Sequence, residues 1–400
     1  MKKIIERIFE GMFRISGFAT SIVILLIVIF LFKEGSGLFS TPTVEKGYVL
    51  AVNSENPVTR LSPEEIKQIF DWNLTNWQEV GGNTGEIHPF RFNEIFQRYT
   101  EEELGFDGSQ YPLLPEKIGE IIASDPNIIA FVPRRYLPEN NGTFSVLQSE
   151  TITISDFFLG QKWVPTASPA PQFGVLPLIL GTLLVSFVAI LIALPLGLGV
   201  AIYMSELASE RMRRILKPTI ELLAGIPSVV YGFFGLAVMV PFLQQTLNLP
   251  VGETALAGSI ILAIMALPTI ITVAEDAMRN TPRMMREASL AMGATQWQTI
   301  WRIVIPYASS GISAAVVLGI GRAIGETMAV LMVTGNAAVM PTSLTQSVRT
   351  IPATIAAELG EAPTGGAHYQ ALFMLGCILF IITMAVSITA EVINKKKPVV

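Results

Sequence analysis

The chain has 400 residues, of which 51% are apolar and only 15% are charged. Soluble globular domains rarely reach this apolar excess, so the composition indicates a protein whose main solvent is not water. The single cysteine, Cys377, excludes an internal disulfide. No nucleic-acid partner is expected, and the two histidines, His88 and His368, show no metal-ligand spacing.

Six apolar runs are each close to the roughly 20 residues with which an α-helix crosses the hydrocarbon core of a bilayer. They are Ile15–Phe32, Leu178–Tyr203, Pro227–Leu243, Thr254–Ala274, Gly311–Val333 and Leu372–Ile393. We therefore expect an all-α polytopic membrane protein with six transmembrane helices. The first run starts like a signal peptide, but Lys33–Gly37 offers no clear cleavage site, so this run is expected to remain as an anchor.

The positions of Lys and Arg predict how the chain is oriented. Positive residues in short loops stay on the cytoplasmic side, and they gather before the first run and after the second, fourth and sixth runs. The clusters are Lys2, Lys3, Arg7 and Arg14; Arg211, Arg213, Arg214 and Lys217; Arg279, Arg283, Arg286 and Arg302; and Lys395–Lys397. Both termini are therefore expected in the cytoplasm, and the segment between the first two runs is expected in the periplasm.

That segment, from Lys33 to Phe173, holds 19 of the 32 acidic residues but only 10 of the 27 basic residues. Three strand-like runs and a helix start at Ser62-Pro63-Glu64-Glu65 predict an inserted α/β or α+β domain. The strand-like runs are Tyr48–Val52, Ile128–Val132 and Phe144–Leu147. The expected division is residues 1–40 for the N-terminal segment and first helix, 41–165 for the inserted domain, and 166–400 for a core with five further helices.

Residues 284–306 have the pattern of two short helices between the fourth and fifth runs. Glu287 and Ala288 suit a helix with a small-residue face, and Gly293 can take the left-handed conformation that ends it. Thr295 and Gln298 are spaced as a capping box that starts the next helix. A small rigid loop of this kind fits a groove on a partner; the alternative is an ordinary amphipathic connector.

The spacing of this loop resembles the motif of ATP-binding-cassette (ABC) import permeases, which reads Glu-Ala-Ala, three residues, Gly, nine residues, Ile-x-Leu-Pro. This chain has Glu287-Ala288-Ser289, Gly293 and Ile303-Val304-Ile305-Pro306. The resemblance implies that Glu287, Ala288, Gly293, Ile303 and Pro306 couple the chain to ATPase subunits. The sequence has no Gly-x-x-x-x-Gly-Lys-Ser/Thr loop, so ATP and Mg²⁺ are expected on partner subunits, and this chain is expected to hold no cofactor and to be no enzyme.

Two charged residues stand inside the fifth apolar run, in Arg322-Ala-Ile-Gly-Glu326-Thr327-Met-Ala. A charge at mid-membrane costs at least about 2.5–3.5 kcal/mol on insertion scales, so such residues usually face a pathway or a partner in the bundle. On one continuous helix, Arg322 and Glu326 are four residues apart and can form a pair. Either this pair only locks helix packing, or Arg322 presents a cation to a passing oxyanion while Glu326 tunes it or gates release, with Thr327 beside them.

The resemblance extends to the phosphate branch of these permeases, the PstC-type subunits. The segments that carry it are Gln172–Pro177, Gly181–Leu183, Ala193–Gly197, Ala224–Gly232, Arg322–Ala329 and His368–Leu372. It implies the type I importer permease fold and a bacterial inner-membrane subunit that carries inorganic phosphate. The implied partners are a homologous PstA-like permease, a PstB-like ATPase dimer and a PstS-like periplasmic binding protein.

The inserted domain resembles part of a phosphate-binding protein in Leu61–Phe70, Thr75–Gly82 and Asp125–Val132. Where such proteins hold the anion with an Arg-Ser-x-Gly-Ser-Gly-Thr type of loop, this chain has Pro89–Asn93, which lacks those glycines and hydroxyls. We therefore expect the domain to dock a separate binding protein or to cap the pathway rather than to bind phosphate. Two other functions stay open: import of another oxyanion, and a membrane sensor in which this domain detects a ligand.

Overall fold

The computed structural model describes residues 2–45, 47–139, 142–148 and 151–395. Lys396 and Lys397, from the last predicted basic cluster, lie outside the described residues. The chain divides into two compact units, a helical unit (Met1–Gly35 and Val175–Val400) and a mixed unit (Ser36–Gly174). The expected domain 41–165 lies within the mixed unit.

The chain starts with helix α1, Lys2–Ser36, which is followed by the strands and helices of the mixed unit. The strands are β1 Tyr48–Asn53, β2 His88–Arg91, β3 Ile128–Pro133, β4 Phe144–Val146, β5 Trp163–Val164 and β6 Gln172–Phe173. The helices of this unit are α2 Pro63–Phe70, α3 Ile95–Arg98, α4 Leu114–Ser124 and α5 Ile154–Leu159. β1, β3 and β4 confirm the three strand-like runs of the sequence, whereas β2 was not predicted.

The main sheet of the mixed unit has the strand order β2-β3-β1-β4. β1 pairs antiparallel with β3 and β4, while β2 pairs parallel with β3, so the sheet is mixed. Alternate residues of β1 point to opposite faces: Val52 joins a buried cluster with Trp77, whereas Ala51 joins one with Ile118. The sheet is therefore buried on both faces.

The predicted start of α2 is confirmed in detail. The Ser62 hydroxyl accepts a hydrogen bond from Glu65 N at 3.3 Å, and the Glu65 carboxylate accepts one from Ser62 N at 2.8 Å. This capping box satisfies backbone N–H groups that the first turn of a helix leaves free. It positions α2 so that Ile66, Ile69 and Phe70 are buried.

The helical unit continues after the mixed unit with twelve helices among the described residues. They are α6 Leu176–Ile202, α7 Glu210–Ala224, α8 Ser228–Phe234, α9 Val240–Leu247, α10 Ala255–Arg279, α11 Arg283–Ala291, α12 Gln296–Thr299, α13 Ile305–Tyr307, α14 Ser309–Gly325, α15 Met328–Val333, α16 Ile351–Glu358 and α17 Ala367–Lys395. Single π-helical turns at Tyr203–Leu207, Gly235–Met239 and Ile300–Val304 follow α6, join α8 to α9, and join α12 to α13.

Among the described residues, five helical stretches are long and apolar enough to cross a membrane: Glu10–Ser40, Leu176–Leu207, Ser228–Leu247, Ala255–Arg279 and Ala367–Thr389. A sixth is reached only if Gln296–Tyr307 and Ser309–Gly325, which are bent by 71° at their junction, form one span. The expectation of a continuous fifth helix over Gly311–Val333 is wrong. α14 ends at Gly325, and the chain leaves the helical path before α15 begins.

Small residues allow the helices to approach closely, as membrane bundles require. A Cβ atom at Gly197 of α6 or at Gly319 of α14 would lie 2.8 or 2.9 Å from Ile270 of α10, so α10 packs tightly between these two helices. A Cβ atom at Gly232 of α8 would lie 3.0 Å from the Ala329 Cα of α15. α8 therefore lies directly against the short helix that follows the break.

Candidate functional site

Arg322, Glu326 and Thr327 lie at the break between α14 and α15. Glu326 has φ −71° and ψ 131°, an extended conformation that ends α14. Its Oε1 accepts a hydrogen bond from Ala329 N at 3.4 Å, and Thr327 Oγ1 donates one to Gly325 O at 3.3 Å. Both side chains therefore serve backbone groups that the two helix ends would otherwise leave unpaired.

The expected pairing of Arg322 with Glu326 on one helix is wrong, because Glu326 lies outside α14 and its carboxylate caps α15 instead. Arg322 is half-buried, and its Nε is buried without a hydrogen-bond partner among the described residues. A buried donor that stays unpaired costs about 1–3 kcal/mol. The alternative that Arg322 and Glu326 form a pair that only locks helix packing is therefore not supported. The Arg322 guanidinium keeps donors for another group.

The break forms one side of an open groove of about 510 Å³. Gly325 and Thr327 line this side, and α17 contributes Leu379. The remaining lining residues belong to α16 and to the residues after it: Pro352, Ile355, Ala356, Leu359 and Gly360. The position of α16 therefore determines the space beside the residues of the break.

The loop between α10 and α14 has the two-helix form that the sequence predicts. Gly293 has φ +85°, a left-handed conformation that ends α11, and Thr295 forms a capping box with Gln298 at the start of α12. The hydroxyl groups of Ser289 and Thr299 lie 2.9 Å apart and join the two helices. The loop is therefore a compact unit rather than a flexible connector.

Hydrogen bonds fasten this loop to the ends of two long helices. Arg286 Nη2 donates to Glu206 Oε1, beyond the end of α6, at 2.8 Å and to Met278 O, on α10, at 2.9 Å. Gln296 Nε2 donates to Glu206 O at 2.9 Å. These bonds connect the loop to α6 and α10, which pack against each other in the helical unit.

The outer surface of the loop is apolar to an unusual degree. Met284 is 81% exposed, Met292 is 89% exposed and Trp297 is 57% exposed. Glu287 and Ala288 are also exposed. Large exposed apolar side chains are typical of surfaces that contact another protein, so this face has the chemistry of a docking surface.

The remaining two predicted coupling residues lie after α12. Ile303 is half-buried in the π-helical turn, and Pro306 is exposed in the first turn of α13. Pro306 follows the π-helical turn and lies near the end of the helical stretch Gln296–Tyr307. Their role in coupling stays a prediction.

The sequence analysis missed an ion cluster between α7 and α10. Glu275 is fully buried, and its carboxylate accepts hydrogen bonds from Arg213 Nη2 at 2.6 Å and Lys217 Nζ at 3.1 Å. Lys217 Nζ also contacts Asp276 Oδ1 at 3.1 Å. Arg213 and Glu275 are separated by 62 residues, so local periodicity could not reveal the pair; the only sequence signal was an acidic residue at the end of an apolar run.

In the mixed unit, Arg91 of the segment Pro89–Asn93 has a structural role. Arg91 donates hydrogen bonds to Phe70 O at 3.1 Å and to Ser168 O at 3.3 Å. Its guanidinium also lies 5.2 Å from the centre of the Phe70 ring. Through these contacts, the guanidinium of Arg91 connects β2 to the end of α2 and to the segment that contains Ser168.

Comparisons with known proteins agree with the two-unit organisation. Residues 193–397 match the family described as binding-protein-dependent transport system inner membrane component, and residues 30–143 match the PBP superfamily domain. The first match lies within the part of the chain that holds the membrane helices, the break and the loop. The second covers most of the mixed unit.

Two curated relatives and one solved structure are similar to the helical part of the chain. The probable ABC transporter permease protein YqgH of Bacillus subtilis is 41% identical over 244 residues, which are 61% of this chain and 79% of the relative. The phosphate transport system permease protein PstC of Mesorhizobium japonicum is 41% identical over 249 residues, 58% of this chain and 75% of the relative. A chain of the inward-facing MetNI methionine ABC transporter is 20% identical, covering 56% of this chain and 94% of that one, and its TM-score of 0.42 is too low to support an inference.

The family match spans half of the chain, and both curated relatives are matched over more than two thirds of their length. The family match, residues 193–397, includes all the residues predicted for the pathway and for coupling, which lie between Glu287 and Thr327. The chain therefore belongs to the family of binding-protein-dependent transport system inner membrane components.

Proposed function

We propose that this chain is the permease subunit of an ATP-driven importer of inorganic phosphate in the bacterial inner membrane. The observation that carries the proposal is the half-buried Arg322, whose Nε has no partner among the described residues and which Glu326 does not neutralise on a shared helix. Arginine suits phosphate because its planar fork donates two parallel hydrogen bonds to an oxyanion. A relative at 41% identity is named as a phosphate transport permease, which supports this choice of anion.

In this proposal the pathway is completed by a homologous permease subunit. Arg322 meets the anion, while Glu326 and Thr327 hold the break that separates α14 from α15. A break of this kind lets α14 and α15 move separately, as alternating access requires. Import of a different oxyanion is the competing outcome, since the guanidinium fork also fits sulfate or molybdate.

Coupling to ATP hydrolysis is assigned to the loop between α10 and α14. Separate ATPase subunits contact its exposed face, which includes Glu287, Met292 and Trp297. When ATP binding closes those subunits, the loop moves as one body, and Arg286 carries the movement to α6 and α10. ATP and Mg²⁺ act on the partner subunits, so this chain performs no catalysis.

The mixed unit is proposed to lie in the periplasm and to dock a separate phosphate-binding protein or to cap the pathway. Its acidic balance disfavours direct capture of an anion, because 19 acidic residues against 10 basic residues lie between Lys33 and Phe173. Arg91 supports this assignment, since both hydrogen bonds of its guanidinium go to backbone carbonyl groups.

Competition uptake tests the proposal. Cells that make the complete complex are given radiolabelled phosphate with an excess of sulfate, molybdate or phosphonate. We expect unlabelled phosphate alone to suppress uptake strongly. Suppression by another oxyanion at lower concentration than phosphate would overturn the choice of substrate.

A further inference from the structure

A second polar cluster in the helical unit joins the end of α15, the end of α16 and the start of α17, and no part of the proposed mechanism uses it. Arg349 Nη1 donates to Glu358 Oε1 at 2.6 Å, and His368 Nε2 lies 2.9 Å from Glu358 Oε2. Arg349 Nε donates to Asn336 O at 2.8 Å. The three side chains are only 15–23% exposed, so solvent screens these contacts weakly.

Each member of this cluster belongs to a different structural element. Asn336 follows α15 and donates its side-chain amide to Leu331 O at 2.6 Å, which ties it to that helix. Glu358 is the last residue of α16, and His368 lies in the first turn of α17. Arg349 stands between α15 and α16, and contacts the first of these through Asn336 and the second through Glu358.

The segment that carries Arg349 is itself held in place by α6. A Cβ atom at Gly181 would lie 2.4 Å from Arg349 O, so the backbone passes α6 at a point where only glycine fits. Thr182 Oγ1 then accepts a hydrogen bond from Ile351 N at 2.9 Å, at the start of α16. α16 is therefore fixed at its start by α6 and at its end by the Arg349–Glu358–His368 cluster.

We infer that Arg349, Glu358 and His368 are positioning residues that hold α16 and α15 in register, and thereby set the position of the α16 residues that line the groove with Thr327. An effect of these residues on phosphate uptake rests on the proposed function, whereas their effect on the positions of α15 and α16 does not. The residues themselves need not contact the anion, since the cluster acts through the ends of the helices that it joins.

The variant Glu358→Gln keeps the size of the side chain and removes the charge that both neighbours contact. In the full complex we expect at least a tenfold fall in the maximal rate of phosphate uptake, with KM changed less than threefold, because a separate binding protein captures the substrate. Glu361→Gln is the matched control: Glu361 is exposed and only three residues away, and uptake should stay within twofold of the unmodified chain.

A distance measurement tests the positioning directly. Spin labels at Met328→Cys on α15 and Ala357→Cys on α16, both at exposed positions, are introduced with Cys377→Ala. We expect a single narrow distance distribution that Glu358→Gln broadens or shifts and Glu361→Gln leaves unchanged. The double variant Arg349→Lys with Glu358→Gln should transport no worse than the more severe single variant, because the residues act as one unit.

The inference is overturned if Glu358→Gln matches Glu361→Gln in uptake, or if uptake falls while the label distances stay unchanged. If Glu358→Gln fails to reach the membrane, Arg349→Lys replaces it, since lysine keeps the charge but lacks the separate Nε and Nη1 donors that contact Asn336 O and Glu358. If the unmodified complex imports no phosphate, the proposed function fails, and the label distances still decide the inference.

Discussion

At the scale of single residues, the backbone conformation of Gly293 restricts which residue can stand at the end of α11. Its φ of +85° is a left-handed conformation that costs a residue with a side chain roughly 1–2 kcal/mol, with Asn the best tolerated. We predict that Gly293→Arg abolishes uptake while the chain still reaches the membrane, and that Gly293→Asn keeps most of it. Uptake assays with immunodetection of the membrane fraction measure both, and normal uptake in Gly293→Arg would contradict the coupling role.

Arg322 is the residue on which the pathway depends. Removal of its charge in Arg322→Gln should lower phosphate uptake at least tenfold with little change in assembly, because an electrostatic contact made by the passing anion is lost. Arg322→Lys should restore uptake only in part, since lysine keeps the charge but not the two-pronged fork. Arg214→Gln, an exposed arginine on α7, is the control. Equal uptake by Arg322→Gln and the control would leave Arg322 as a packing element.

The residues of the loop between α10 and α14 and those of the break between α14 and α15 could be predicted from the sequence. The geometry around Arg322 could not. Gly293, Thr295 and Gln298 act within one short loop, where spacing alone determines the conformation. The relation of Arg322 to Glu326 depends on whether the helix continues through Gly325, and the apolar content of the run is the same in either case.

At the scale of elements, the ion cluster of Glu275 determines how α7 is held on α10. Its buried carboxylate contacts both Arg213 and Lys217, and Asp276, which contacts Lys217, supplies the second negative charge. Burial acts to lower the pKa of Lys217, but its hydrogen bonds to Glu275 and Asp276 outweigh this effect and the pKa is raised. A raised lysine pKa means that the stabilising contribution is fully present at neutral pH and is lost only as the pH rises through the folded-state value.

We predict that Glu275→Ala destabilises the helical unit by about 3–5 kcal/mol, because it leaves two partly buried cations without their shared carboxylate. Asp276→Asn is the neighbouring control, since Asp276 is 56% exposed and contacts only Lys217 among the ion pairs of the described residues. Thermal unfolding of the purified complex, followed by the loss of monodisperse protein, measures both variants. An equal loss of stability in the two variants would contradict the prediction, because buried Glu275 would then contribute no more to stability than exposed Asp276.

Elements that depend on local signals were predicted well. The capping box of Ser62 marks α2, and three of the four strands of the main sheet follow from short apolar runs. β2 was missed because His88–Arg91 has only one buried residue and contains a proline. The clusters of Glu275 and Glu358 were missed because their members come together only through tertiary packing.

At the scale of the whole molecule, the mixed unit decides whether the permease carries its own receptor. We predict that it binds no phosphate, because its segment Pro89–Asn93 lacks an anion-cradling loop and Arg91 is already bonded to two carbonyl groups. Titration calorimetry on the segment 36–174 tests this. This segment extends beyond the expected domain 41–165 for two reasons. Ala170 belongs to the core of the unit, and β5 pairs with β6, which lies after residue 165. Tight, saturable binding would contradict the prediction.

The central claim is that this chain forms the phosphate pathway of an ATP-driven importer, and reconstitution tests it most directly. Proteoliposomes are prepared with this chain, its partner permease and the ATPase subunits, and the binding protein is added outside. The account predicts that radiolabelled phosphate accumulates only with ATP inside, that Arg322→Gln abolishes this accumulation, and that Arg214→Gln does not. Accumulation of another oxyanion in place of phosphate, or full accumulation with Arg322→Gln, would contradict it.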